Sequence, residues 1–344
     1  MFKEKTAGFA ALLLLMTLST FNSAIRAQEV IVLSGHEEVI DWLKAEDWWG
    51  EEKRGRQLQV PRVMITGIPK RWQKTSATLP VQTKKELFYR FIVPLVIHAN
   101  TMILDRRERL AKIDTALAAG KNISAEDRDW LHQVAAILRI SEGDSVDTLP
   151  TAETLRPIIE QALYKLDIIP AGLALGQAAY ESGYGTSRFA VAGNALFGQW
   201  TFGGEGLVPE QQRTNLGDHR IASYDWPFDS VRGYFINLSS HPAYEDFRRL
   251  RAELRAAGKP LSSMVLADGL IRYSERGQAY VDTLKGIMRV NKLIIADDAV
   301  FRDEPMRFIV GAEDQTAAAN LKTEIKALRA SGELEKIIDR MKLE

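Results

Sequence analysis

Pro170-Ala-Gly-Leu-Ala-Leu-Gly-Gln-Ala-Ala-Tyr-Glu-Ser-Gly-Tyr-Gly-Thr-Ser-Arg-Phe189 is the stretch on which the reading of this chain turns. Pro170 suits the opening of a helix, where its missing N–H costs nothing. Leu173, Leu175, Ala178 and Ala179 make that helix apolar nearly all round, and such a helix is buried. Gly183 and Gly185 stop it. Glu181 therefore falls in the last turn, at the negative end of the helix dipole. Partial burial and the dipole both disfavour a carboxylate, which predicts a raised pKa. A group that keeps its proton near neutral pH can donate it to a leaving oxygen. Taken alone, Glu181 also reads as a surface glutamate at a frayed helix end. Its neighbours decide between the two.

Ser182-Gly183-Tyr184-Gly185 lets the backbone turn sharply and approach a ligand closely. Gly193-Asn-Ala-Leu-Phe-Gly-Gln-Trp200 follows, with Phe202 just beyond. The aromatic faces of Phe197, Trp200 and Phe202 suit stacking on the apolar C–H faces of sugar rings, while ordinary core packing is the alternative for Phe197. Gln199 is placed either to hydrogen-bond an acetamido group or to satisfy the backbone.

The pattern Gln-Ala-Ala-x-Glu-Ser-Gly-Tyr-Gly-Thr-Ser-Arg-Phe-Ala, then Gly-Asn-x-Leu-Phe-Gly-Gln-Trp, resembles the glucosaminidase domain of glycoside hydrolase family 73, and is most similar to its Bax-like branch. The likeness continues through Asp229-Ser-Val-Arg-Gly-Tyr-Phe-Ile-Asn-Leu238, His241-Pro-Ala-Tyr244 and Tyr273-Ser-Glu-Arg-Gly-Gln-Ala-Tyr280. It covers roughly residues 80–292. The resemblance implies a predominantly helical α+β fold: a lysozyme-like domain with a small β-hairpin lobe, preceded by a helical N-terminal region. It implies hydrolysis of peptidoglycan beside N-acetylglucosamine, with Glu181 as the catalytic acid. Tyr273 matches a cleft tyrosine that orients substrate or stabilises developing charge, or else is a core tyrosine. Tyr184, Phe197, Gln199, Trp200 and Tyr280 are the expected substrate-binding residues.

Glycoside hydrolysis normally uses a second carboxylate. The region of the hairpin lobe holds Glu205, Glu210, Asp218 and Asp225, and Glu210 is nearest the expected place. Asp225 equally suits capping of the helix that starts near Trp226. Without a second acid, the substrate's own acetamido group can assist. A muramidase or lytic transglycosylase on the same fold is the alternative enzyme, the latter needing a single acid–base residue. A non-catalytic wall-binding module is the alternative outside catalysis.

Other chemistries lose ground. His36, His98, His132, His219 and His241 are scattered, and no His-Glu-x-x-His occurs, so no metal and no other cofactor is expected. Gly-x-Ser-x-Gly is absent, which argues against a serine hydrolase. Trp48 and Trp49 lie among Glu46, Asp47, Glu51 and Glu52, either as a carbohydrate platform or as core residues with a solvated acidic rim.

With 344 residues, 46% apolar, the chain can bury a sizeable core. Lys and Arg number 45, as do Asp and Glu, so the formal charge is zero and nucleic-acid binding loses weight. A neutral protein has little long-range pull toward anionic peptidoglycan, so affinity would have to come from a groove. There is no cysteine, which excludes disulfides, thiol nucleophiles and a lipid-modified cysteine. Lys3 and Lys5, the apolar run Ala7–Leu18 and the small residues up to Ala27 read as a signal peptide cleaved after Ala27 or Ala24, or as a retained signal anchor. The expected organisation is a signal peptide (1–27), an N-terminal mostly helical region (28–150), the glucosaminidase domain (151–292) and a C-terminal helical tail (293–344). The expected location is the periplasm, with secretion as the alternative. After signal cleavage no membrane contact is expected. Nothing in residues 28–150 names an envelope protein partner.

Overall fold

The computed structural model describes residues 29–50, 57–140, 152–201, 206–208, 220–334 and 336. The leader, Phe202, Glu205, Glu210, Asp218, His219 and most of a second tail helix expected at Glu333–Met341 lie outside the described residues.

Strand β1 (Val30–Leu33) and helix α1 (His36–Ala45) come first. Strands β2 (Gln59–Val60) and β3 (Val63–Ile65) and helix α2 (Trp72–Thr78) follow. Helix α3 (Val81–Ala118) runs 38 residues through Pro94. It is long and apolar enough to cross a membrane, yet Leu95, Val96 and Leu110 are fully buried within the protein itself. Helix α4 (Ala125–Ile137) opens with the Ser124 hydroxyl accepting the Asp127 N–H at 3.0 Å, as the Ser-x-x-Asp spacing predicts.

Helices α5 (Ala152–Lys165), α6 (Ala171–Ser182) and α7 (Arg188–Gly193) lead to a small antiparallel lobe. Its strands β4 (Trp200–Thr201), β5 (Gly206–Leu207) and β6 (Arg220–Ala222) lie in the order β4-β6-β5. Helices α8 (Pro227–Ser240), α9 (Glu245–Ala256), the single turn α10 (Ser263–Leu266) and α11 (Gln278–Val290) complete the helical body. A 3-10 segment, Ala267–Tyr273, follows α10.

The centre of this body is α6. Ten of its twelve residues are buried, as an all-apolar helix demands. It packs on α3, on α11 and on the turn Leu293–Ala296. That last approach needs Gly172, because a Cβ there would meet the Leu293 carbonyl oxygen at 2.6 Å. Pro170 precedes α6, and the Asp297 carboxylate takes the Gly172 N–H at 3.0 Å and the Ser263 N–H at 2.9 Å. An acidic cap complements the positive end of the helix dipole.

A second polar knot ties α3, α5 and α9 together. Asp167 is almost fully buried and accepts two hydrogen bonds from Arg255, at 2.9 and 3.0 Å. Arg107 approaches it to 3.8 Å. Arg251, also buried, donates to the Asp167 and Lys165 carbonyls at 2.8 and 2.6 Å. Burial pushes the Asp167 carboxyl up, but the Arg255 hydrogen bonds and the charges of Arg251 and Arg107 hold it below the usual range.

The two ends of the chain depart from the helical expectation. Strand β8 (Arg307–Gly311) inserts between β1 and β3, parallel to both, with Val30 opposite Phe308 and Ile65 opposite Ile309. Strand β7 (Val300–Phe301) pairs with β2. Helix α12 (Gln315–Ser331) then packs against β1. Residues expected as a separate helical region and a helical tail therefore share a parallel sheet. The whole is a predominantly helical α+β architecture with a small β lobe beside the buried central helix, consistent with a lysozyme-like domain.

Candidate active site

The site grows out of the C-terminal half of α6. Gln177 and Glu181 are four residues apart and share one face. Gln177 is fully buried, so both ends of its amide need partners. Tyr234, on α8, donates its hydroxyl to Gln177 Oε1 at 2.5 Å. Gln177 Nε2 donates to the Tyr280 hydroxyl at 2.9 Å. Tyr280, on α11, donates in turn to Glu181 Oε1 at 3.0 Å. A continuous chain of hydrogen bonds thus runs from α8 through α6 to α11 and ends on the carboxylate.

Glu181 itself is half-buried. Burial pushes its pKa up and the Tyr280 hydrogen bond pulls it back, leaving it above the usual carboxylate range. The helix ends at Gly183, in the left-handed conformation at φ +58°. Glu181 Oε2 lies beside Gly198, where an added Cβ would sit 3.9 Å from it. Gly198 also has φ +58°, which a side chain would strain. The Gly-Asn-x-Leu-Phe-Gly segment therefore brings bare backbone up to the acid.

Tyrosines close in around this carboxylate. Tyr273 donates its hydroxyl to the Phe197 carbonyl at 3.2 Å and stacks on Tyr280 with ring centroids 5.6 Å apart and planes 7° apart. Tyr180 packs edge-on against Tyr280 at 5.5 Å and accepts a hydrogen bond from Arg276. Tyr244 lies 5.6 Å from Tyr273. The phenols of Tyr234, Tyr273 and Tyr280 are held above their ordinary range, first by burial and then by neighbouring phenols and the Glu181 charge. They stay protonated and act as donors.

The residues singled out from sequence fall into distinct places. Glu181, Tyr273 and Tyr280 are gathered together. Tyr280 is 1% exposed, so it reaches the acid rather than solvent. The Phe197 ring is 2% exposed and stacks on Tyr234 at 4.0 Å, the core-packing alternative, while its carbonyl serves Tyr273. Gln199 accepts the Tyr224 hydroxyl at 2.7 Å and lies over Gly233. Tyr184, at φ +61°, turns to the N-terminal elements: its ring meets Phe88 and Tyr89 of α3, and its carbonyl accepts Trp72 Nε1 at 3.0 Å. The backbone of Trp200 pairs with Ile221 in the lobe. Glu210 lies outside the described residues. Asp225 does not cap α8; that cap is Asp229, whose carboxylate accepts the Trp226 N–H at 3.2 Å.

Sequence reasoning missed Tyr234 and the part played by Gln177. Both stood inside quoted motifs, and a glutamine within an apolar helix was the available signal: buried amides demand partners. Among the described residues, no group of three or more His, Asp or Glu is arranged to hold a metal ion.

Residues 156–293 match the family model described as Glucosaminidase, mannosyl-glycoprotein endo-beta-N-acetylglucosaminidase. Among curated proteins the chain is similar to Protein bax of Escherichia coli (strain K12), 29% identical over 213 residues, which cover 62% of this chain and 72% of that protein. No solved structure matches the chain. The residues matched to the family model include Glu181, its tyrosines and the helices that hold them, so over those residues this chain resembles the glucosaminidase family, and it is similar to Protein bax.

Proposed function

We propose that this protein is an exported peptidoglycan hydrolase, an endo-beta-N-acetylglucosaminidase in which Glu181 is the general acid. The observation that carries the reading is the state of Glu181: a half-buried carboxyl with a raised pKa, at the end of a buried helix, facing bare backbone at Gly198. In the proposed reaction Glu181 gives its proton to the glycosidic oxygen as the C1–O bond breaks, water supplies the hydroxyl that ends on C1, and the proton that water loses passes to the assisting carboxylate and so restores the pair. Tyr280 fixes the carboxyl orientation, and Tyr273, anchored on the Phe197 carbonyl, lines the sugar's approach. Gln199 and Trp200 belong to the substrate side of the lobe in this reading, and Glu210 is the proposed second carboxylate. Residues 1–27 act as the export signal, with the periplasm as destination.

A second reading has its own observation. Among the described residues, no other charged side chain contributes to the raised pKa of Glu181. A mechanism with one protein acid fits that isolation, either with help from the substrate's acetamido group or as a lytic transglycosylase.

The test is digestion of purified peptidoglycan by residues 28–344 beside Glu181→Gln. The variant keeps shape and loses the titratable proton, so activity should fall by at least ~100-fold. Mass spectrometry of the fragments separates the outcomes: N-acetylglucosamine reducing ends support glucosaminidase hydrolysis, with a second carboxylate or the substrate's acetamido group assisting, and anhydro-muramyl ends support a lytic transglycosylase. Full activity in the variant would move the catalytic centre elsewhere.

A further inference from the structure

Away from Glu181, helices α3, α4 and α8 leave a cavity of about 230 Å3 between them. Each gives one face to it. Ala99, Ile103 and Arg106 come from α3, Val134 and Ile137 from α4, and Phe228, Arg232, Phe235 and Ser239 from α8. These positions recur at three- and four-residue spacing, so each helix presents one continuous stripe. The inner wall is buried and apolar. The rim is apolar too: Ile137 is 52% exposed and Ile236 is 37% exposed, so the cavity opens to solvent through hydrophobic lips.

Three polar groups interrupt this lining. The Ser239 hydroxyl is buried and has no hydrogen-bond partner. Arg232 stands 3.7 Å from Asp229, a loose ion pair on its own helix. Arg106 is half-buried and, among the described residues, makes no hydrogen bond or ion pair. Burial and the positive charge of Arg232 lower its pKa, and Asp105 opposes them only partly. A desolvated guanidinium beside a second one, and a buried hydroxyl with no acceptor or donor, are both unfavourable in a simple packing void. An anion placed between them relieves both.

We propose that this cavity is a binding site for a small amphiphilic anion, with an apolar body between α3, α4 and α8 and a carboxylate or phosphate head on Arg106 and Arg232. Arg106 supplies the planar two-point contact suited to such a head, and Ser239 supplies a hydroxyl inside the cavity. The volume lies below the roughly 300–1,000 Å3 of sites for drug-sized ligands, so the body is short, of medium-chain fatty-acid size. The ligand is a free small molecule. Nothing in the glycan-cleaving reading calls for it.

Calorimetric titration of the full chain with octanoate, octan-1-ol and octylamine tests this. Octanoate should bind at least ~10-fold more tightly than octanol, because a charge-assisted hydrogen bond to a guanidinium is stronger than a neutral one, and octylamine should not bind, because its ammonium is repelled there. Arg106→Met keeps an apolar stem and should bring octanoate down to the level of octanol. Ala99→Leu fills the cavity and should weaken both, with the far-ultraviolet spectrum and Tm of each variant checked against wild type. Equal binding of octanoate and octylamine, or octanoate binding untouched by both substitutions, overturns the proposal. Flotation with phosphatidylglycerol vesicles in the absence of octanoate binding also overturns it, in favour of a membrane surface.

Discussion

At the scale of single residues, the decisive feature is a proton held where water would release it. Glu181 has a raised pKa, so the folded chain keeps its proton at pH values where the unfolded chain has lost it. Its stabilising contribution is complete below the ordinary carboxylate pKa and falls away as pH rises through the folded value. Glu181→Gln is neutral at every pH and escapes that loss. It should therefore melt higher than wild type at neutral pH while losing activity, and a lower Tm in scanning calorimetry would contradict the burial argument. Tyr280 works in the opposite sense, since its hydrogen bond favours the charged form. Tyr280→Phe should move the alkaline limb of kcat/KM to higher pH as Glu181 becomes harder to ionise. An unmoved limb would remove Tyr280 from any positioning role. Glu181 was legible in the sequence because helix burial and helix end are both local patterns. The Tyr234–Gln177–Tyr280 chain was not, because it joins three helices whose packing no local pattern specifies.

At the scale of elements, helix propensity and capping are read easily and tertiary ties are not. The Ser124 cap and the limits of α6 and α11 follow from a few neighbouring residues. The knot on Asp167 does not: its arginines come from positions 107, 251 and 255. Asp167 has a lowered pKa, so its contribution is present above the unfolded carboxylate value and is lost as pH falls through the folded one. Asp167→Asn should destabilise the protein by about 3 kcal/mol at neutral pH in urea unfolding, since it leaves the buried Arg251 without its counter-charge and breaks the Arg255 pair. The deficit should shrink on acidification. A pH-independent deficit would assign the loss to packing instead. The 3-10 segment Ala267–Tyr273 shows the reverse limit, where helical apolar spacing does not reveal that the hydrogen-bond pattern tightens.

At the scale of the whole molecule, the unread feature is the joining of the two ends. Strands β7 and β8 are short, and their partners lie more than two hundred residues upstream, so periodicity alone cannot pair them. The tail also supplies the Leu293–Ala296 turn against α6 and the Asp297 cap on its first turn. Removing residues 293–344 should therefore reach the helical body around Glu181 itself. A chain ending at 292 should lose cooperative unfolding, or show a Tm lower by about 10 °C or more, with activity falling alongside. A truncated chain of unchanged Tm would show that the body stands without its tail.

The parallel sheet also sets an order of events in time. Its middle strand is the last to be made: β1 and β3 are synthesised early, but each waits for Arg307–Gly311 before it gains its partner. Closing so long a loop adds little to the equilibrium cost, because that cost grows only with the logarithm of length. Its larger effect is on rate, since distant pairings form slowly. Until Arg307–Gly311 emerges, the nascent chain carries two bare strand edges, the kind of surface that recruits other chains. Closure of this sheet therefore waits for β8, and a ribosome stalled before Arg307 would hold a helical body whose sheet cannot close.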